Sequence, residues 1–468
     1  MPRKRIVKMP RWLLFVPLMS ALVVSSELKG EETLPPNLAT REFGHDWPTF
    51  LGPTGDGKSQ ETGLDFDWPD DEPPIVWQTP IGVGYSGPSI SRGRLFHFDR
   101  HGDEDHLICR NAETGEPLWT ARYPTSYEDI LGYNNGPRCS PVVDGARVYT
   151  FSEEGVLRCA AVVDGKLLWE VDTSKEFDVV KNFFGVGSTP LVFGDLLIVH
   201  VGGSPPNDLE DVYDAAGPLR GNGTGVVAFD KFQGKVVWKC ADELASYASP
   251  VIAEIDGRPW CFVFARGGLV ALDPRTGEID FQYPWRAKMF NSVNASTPVV
   301  VGNEVFISET YGPGSSLLRV RPGEYDIVWK DDVRKRQKAM QLHWNTAIYH
   351  EGYLYGSSGR HTNGAETRCI EWSTGTVKWS QDFFGRCSLL YADGHLISLA
   401  ENGTIQILKV NPEKYDLVKS YLLEDADGEE LLKPYAWTAP VLARGLLYLR
   451  GEDRMVCLEL KKNPEQSP

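Results

Sequence analysis

One pattern recurs along this chain: a small residue, an acid or amide two positions on, a turn closed by Gly, then Trp. It reads Cys109, Asn111, Thr114, Gly115 and Trp119, then Ala228, Asp230, Gly234 and Trp238, then Cys369, Glu371, Thr374, Gly375 and Trp379. Ala271, Asp273, Thr276, Gly277 and Phe281 repeat it with a different ring, and Cys159, Gly165 and Trp169 repeat it loosely. Self-similarity at roughly 40–60 residues means one supersecondary unit used many times. Such a unit cannot bury its apolar face alone and must stack on copies of itself.

The rest of the unit can be read around this pattern. A strand opens on a Ser/Thr/Ala-Pro pair, as at Ser140-Pro141, Thr189-Pro190, Ser249-Pro250, Thr297-Pro298 and Ala439-Pro440. A turn such as Asp144-Gly145, Gly194-Asp195 or Asp393-Gly394 supplies positive φ at low cost, so the next strand returns antiparallel. The third strand carries the small residue and the fourth carries the Trp. Four antiparallel strands per unit predict an all-β, eight-bladed β-propeller, with blades opening near Pro88, Pro141, Pro190, Pro250, Pro298, Ala347, Leu389 and Pro440. The last repeat stops at Leu460 without a Trp strand, and the strand through Trp77 at the other end supplies one. The ring is therefore expected to close by pairing the N-terminal strand with the C-terminal blade, which hides two open edges. Trp77, Trp119, Trp169, Trp238, Phe281, Trp329 and Trp379 read as structural docking residues between blades. The seventh blade has no Trp, with Tyr421 as a substitute.

The expected organisation is a signal peptide over 1–26, a lead-in over 27–72, the propeller over 73–463 and a tail over 464–468. The leader reading rests on Arg3, Lys4, Arg5, Lys8 and Arg11, the apolar run from Trp12 to Val24, and the small Ser25 and Ser26. There is no Cys at that junction for lipid attachment. The reading is of export, to a periplasmic or secreted destination, with no integral membrane segment after cleavage. Losing those five cations takes the formal charge from −16 to −21, which argues against a nucleic-acid partner. The basic run Arg334 to Lys338 reads as a solvated loop. Six of the eight cysteines occupy small-residue slots and read as buried free thiols, with Cys240 and Cys261 as the exceptions.

Gly52 to Ser59 satisfies the phosphate-loop pattern G-x-x-x-x-G-K-S, but Pro69, Pro73 and Pro74 follow where a helix would have to open. It reads as a lead-in packed across one face of the ring. The acidic stretch between Gly202 and Gly225 fits no calcium-loop spacing and reads as a solvated lid. No metal site, Ser/His/Asp grouping or paired carboxylates emerge from the repeat register.

In a propeller, the loops feeding the opening strands meet at one mouth of the central channel. Those loops, with one second-strand exit, supply the candidate ligand- or cofactor-binding residues Asn134, Arg138, Phe184, Tyr247, Asn291, Asn294, His343, Trp344, Asn345, Arg360, His361, Arg386 and Trp437. Aromatics, amides and guanidinium groups from different blades make a pocket for a planar or polar ligand. No catalytic residue is assigned.

The small-x-acid-x-x-Thr-Gly-x-x-x-Trp repeat resembles the tryptophan-docking motif of the pyrroloquinoline-quinone (PQQ) repeat propellers, over roughly residues 73–463. That superfamily includes quinoprotein dehydrogenases and the propeller of the outer-membrane protein assembly machinery. The resemblance implies one of two functions. The first is an exported binding or scaffold protein for a protein partner or small ligand at the channel mouth. The alternative is a quinone-dependent oxidoreductase of alcohol or sugar dehydrogenase type, using PQQ with Ca²⁺. In that case Trp344 or Trp437 would stack on the quinone, and Arg138, Arg360 or Arg386 would meet its carboxylates. The chain lacks the adjacent Cys–Cys pair of those dehydrogenases.

Overall fold

Six of the eight opening strands start directly after a proline, because a residue without an N–H cannot donate to a ladder; the other two, Ile348–His350 and Cys387–Ala392, follow Ala347 and Arg386. Pro141 precedes Val142–Asp144, Pro190 precedes Leu191–Phe193 and Pro440 precedes Val441–Ala443. The computed structural model describes residues 33–66, 68, 73–382, 385–425 and 427–461. The leader expected over 1–26 and the tail over 464–468 lie outside the described residues.

From these openings the chain builds eight four-stranded antiparallel sheets, seven of them from consecutive strands. In the eighth, Ile75–Pro80 pairs with Arg454–Glu459 and so closes the ring, with Trp77 opposite Cys457. The register repeats from blade to blade. Cys109 faces Trp119, Cys159 faces Trp169, Ala228 faces Trp238, Ala271 faces Phe281, and Cys369 faces Trp379. All eight cysteines are free, Cys240 and Cys261 included. Those two share an apolar cluster rather than a bridge.

The ring of each Trp reaches the next blade. Trp77 Nε1 donates to Ala112 O at 3.0 Å, Trp119 to Val162 O at 3.0 Å and Trp379 to Asn411 O at 2.8 Å. The turn Gly of that next blade lies beneath the indole, where a Cβ on Gly165 would sit 2.6 Å from Trp119. Gly is required twice over, for its positive φ of 73° and for the approach of the ring. Ser and Thr residues flanking the prolines link blades at the channel wall. Ser89 Oγ donates to Pro141 O, Ser140 N to Thr189 Oγ1, and Thr189 N to Ser249 Oγ.

The seventh blade departs from the expected substitution. The Trp slot, opposite Ile407, holds Lys419, while Tyr421 pairs two residues further on with Ile405. The missing indole comes from the lead-in. Trp68 packs edge-on to Tyr421 with centroids 5.8 Å apart, and its carbonyl accepts from Lys419 Nζ at 3.3 Å. Leu64 and Asp65 pair alongside Lys461 and Leu460, so the lead-in seals the seam where the chain breaks between its two ends.

The same lead-in floors the channel. Trp47 bridges to Ile90, Pro48 O accepts from Val143 N, and Gly57 and Ser59 bond to Tyr391. These contacts fall at the far ends of the opening strands of blades one, two and seven. The phosphate-loop look-alike is a string of turns held by Thr54, Asp56 and Lys58, with Asp56 and Lys58 ion-paired at 2.8 Å. In the basic run, Lys338 is buried rather than solvated, its Nζ donating to Asp332 O at 2.6 Å. The acidic loop turns Asp208, Glu210 and Asp214 outward, while Val212 is buried beside Phe183.

Candidate functional site

The channel mouth and the lead-in floor enclose a funnel of about 760 Å³. Eleven of the thirteen expected residues line it: Arg138, Phe184, Tyr247, Asn291, His343, Trp344, Asn345, Arg360, His361, Arg386 and Trp437. The other two do not. Asn134 is spent locally, its side chain accepting from Gly136 N and its carbonyl from Arg138. Asn294 is fully buried and donates to Ala265 O and Trp285 O. Both are short amides that complete loop backbones, a role that an Asn in a loop fills as readily as ligand binding. Reasoning from the opening loops passed over Tyr85 and Tyr311 on the wall and Trp47, Phe50 and Leu51 on the floor.

The wall is built of rings. Trp344 and Trp437 lie 4.7 Å apart between centroids, with Tyr435 stacked on Trp437 at 4.8 Å and Tyr85 tilted against it at 4.9 Å. Tyr133, Phe184 and Tyr247 continue the belt. The Arg386 guanidinium sits 4.1 Å over Trp344 and 5.2 Å over Trp437, a cation–π arrangement.

Glu401, which the sequence reading missed, organises this corner. It pairs with Arg386 at 2.6 Å and accepts from Trp437 Nε1 at 2.9 Å. Burial alone would raise its pKa, but these donors outweigh burial and hold the carboxyl below its ordinary range. Its sequence signal was faint: an acid at the turn Ala400–Gly403, where blade two carries Glu153.

Arg138 is likewise committed, to Asp129, Gly136 O and Asn134 O. Tyr311 Oη and His343 Nε2 lie 3.1 Å apart. Burial, then Arg386, Arg360 and His361, push the imidazole down to about 3, so it is neutral at physiological pH.

One buried carboxyl pair does exist, contrary to the sequence expectation. Asp105 and Glu153 come from neighbouring blades, 1% and 2% exposed. Both are raised by burial, and Asp105 further by Glu153. It lies away from the funnel lining. No register within one repeat reveals it, because its members sit on different blades.

Residues 74–205 and 135–356 match the protein-family profile described as outer membrane protein assembly factor BamB. No curated protein sequence matches significantly. Among solved structures, BamB from Moraxella catarrhalis is 14% identical, covering 83% of this chain and 98% of that one at TM-score 0.55. Quinohemoprotein alcohol dehydrogenase from Comamonas testosteroni is 12% identical, covering 90% and 82% at TM-score 0.56. A europium-containing methanol dehydrogenase is 11% identical, covering 90% and 99% at TM-score 0.51. At these identities the likeness is one of fold.

Proposed function

From the premise that this chain belongs to the PQQ-like propeller family whose profile is described as outer membrane protein assembly factor BamB, we propose that it is an exported binding protein whose funnel holds a small ligand. The single observation that carries this reading is the blind, ring-walled funnel: eight blades converge on it, and the lead-in floors it with Trp47, Phe50 and Leu51. A channel serving only as a scaffold has no need of a floor or of so many half-buried rings at its mouth. The His343 imidazole in the wall is both neutral and held by Tyr311. The export component rests on the leader-like N-terminus. Among the described residues no helix is long and apolar enough to cross a membrane.

The Trp344–Trp437 pair favours a second reading, quinone-dependent oxidation, because a flat quinone would stack there. The remaining donors do not fit a calcium-bound tricarboxylate. Arg138 and Arg386 already hold protein carboxylates. Among the described residues, no Asp or Glu lines the funnel and no group of three His, Cys, Asp or Glu side chains converges to hold an ion. Binding is therefore the function proposed.

The test is a thermal-shift screen of the mature protein against aromatic acids, aromatic neutrals and sugars, repeated on Trp344→Ala and Trp437→Ala. The expected result is a family of ligands that raises the midpoint of the wild type and not of either variant. A screen without hits at millimolar ligand, or hits indifferent to both substitutions, would remove the funnel as the functional site.

A further inference from the structure

The funnel wall reverses the charge of the molecule. The chain has 64 Asp and Glu against 48 Lys and Arg. Among the described residues no carboxylate lines the funnel, while Arg138, Arg360 and Arg386 do. The three guanidinium groups are not equivalent. Arg138 is held by Asp129 and two loop carbonyls, and Arg386 by Glu401 and the carbonyl of Arg360. Arg360 instead lies 4.3 Å over the Tyr311 ring and 4.0 Å from Met289 Sδ, and among the described residues it has no carboxylate partner.

From Arg360 a continuous aromatic path leads inward. Tyr311 abuts His343 with centroids 5.6 Å apart, His343 abuts Trp344 at 4.8 Å, and Trp344 abuts Trp437 at 4.7 Å. Beside it, three lining atoms have no partner among the described residues, His343 Nδ1, Asn345 Oδ1 and Thr346 Oγ1, with Asn345 3% exposed. Among the described residues the wall thus offers one guanidinium without a carboxylate partner, Arg360, with flat apolar faces beyond it and a few neutral polar atoms.

Resting on the reading of the funnel as a ligand site, we infer that it takes a flat aromatic molecule with a single anionic group, the anion on Arg360 and the ring along Tyr311, Trp344 and Trp437. A carboxylate there gains a charge-assisted, bidentate partner, and the ring gains stacking faces. A tricarboxylate gains little more. Its other two charges would meet guanidinium groups already satisfied, and releasing Asp129 or Glu401 would strand a buried charge. A cationic aromatic finds no carboxylate on the wall among the described residues and meets Arg360 instead.

The experiment follows tryptophan quenching and calorimetry with three probes on the intact mature protein: naphthoate, neutral naphthamide, and PQQ with Ca²⁺. Naphthoate is expected to bind at least about tenfold more tightly than naphthamide and than PQQ. In Arg360→Gln the preference over naphthamide should fall below about twofold, and in Arg360→Lys part of it should survive. An unchanged thermal midpoint in both variants separates lost recognition from lost folding. Equal binding of naphthoate and naphthamide by the wild type would overturn the assignment of charge while leaving the funnel a ligand site. Tighter binding of PQQ would overturn the single-anion class. If neither naphthalene bound at millimolar concentration, the funnel reading itself would fall.

Discussion

The docking of each indole onto the next blade can be weighed by two substitutions that share their backbone cost and differ in what the new methyl meets. Gly165 has φ of 73°, and a Cβ there would lie 2.6 Å from the Trp119 ring. Gly194 has φ of 58°, and nothing lies within 4 Å of its Cβ position. Ala in the left-handed region costs ~1–2 kcal/mol, offset by ~0.4–1 kcal/mol from the stiffer unfolded chain. Gly194→Ala should therefore cost about 1 kcal/mol. Gly165→Ala bears the same cost plus ~1–3 kcal/mol of overpacking. If the indole retreats, it also loses the hydrogen bond to Val162 O, about 1 kcal/mol more. The expected totals are about 3 and about 1 kcal/mol. Urea titration of both variants reads the difference as a shift in midpoint at unchanged slope. Losses equal within about 0.5 kcal/mol would refute the argument that the repeated Gly is there to seat the neighbour's Trp.

Three further outcomes are expected. Glu401→Gln leaves Arg386 buried without its counter-charge and weakens the acceptor of Trp437, so urea unfolding at pH 7 should show a loss of about 3 kcal/mol. Because the Glu401 pKa is depressed, that deficit should shrink as pH falls through the folded-state value, where the wild type loses the same ion pair. His343, at about 3 in the fold against ~6.5 unfolded, resists protonation, so acid favours the unfolded chain from pH 6.5 downward. His343→Gln should remove up to about 2 kcal/mol of the stability that the wild type loses between pH 7 and pH 5, read from urea midpoints at the two pH values. A thiol-specific disulfide reagent should leave the native protein unmodified over minutes and titrate eight thiols once it is unfolded. Burial raises Cys109, Cys159, Cys240 and Cys369 to about 12, suppressing the thiolate that would attack the reagent. Six or fewer titrated thiols would mean that a bridge exists.

The residues that the repeat pattern located and those it did not differ in one respect. Trp119 and Gly165 recur at a fixed spacing, so a local count identifies them, and the same count gives eight openings and an orphan closing strand. Eleven of the thirteen mouth residues reach the funnel because topology alone sends the opening loops to one end of the channel. Asn134 and Asn294 miss it because a loop amide near its own backbone bonds that backbone first. Glu401, Trp68 and the Asp105–Glu153 pair escaped the repeat count for a different reason: each is tied to a contact that crosses between blades or between a blade and the lead-in.

Sequence alone therefore determined the ring, its number of blades, its mode of closure and the end at which side chains would gather. All of these follow from short-range periodicity, which survives without knowledge of any long-range contact. Tertiary structure alone decided that the lead-in floors the channel and replaces the missing indole of blade seven. It also decided that, of three similar arginines at the mouth, Asp129 neutralises one, Glu401 neutralises another, and Arg360 is left. A guanidinium is the same group in all three places. Its partner sets its availability, and that partner is a matter of distance in space that spacing along the chain does not encode.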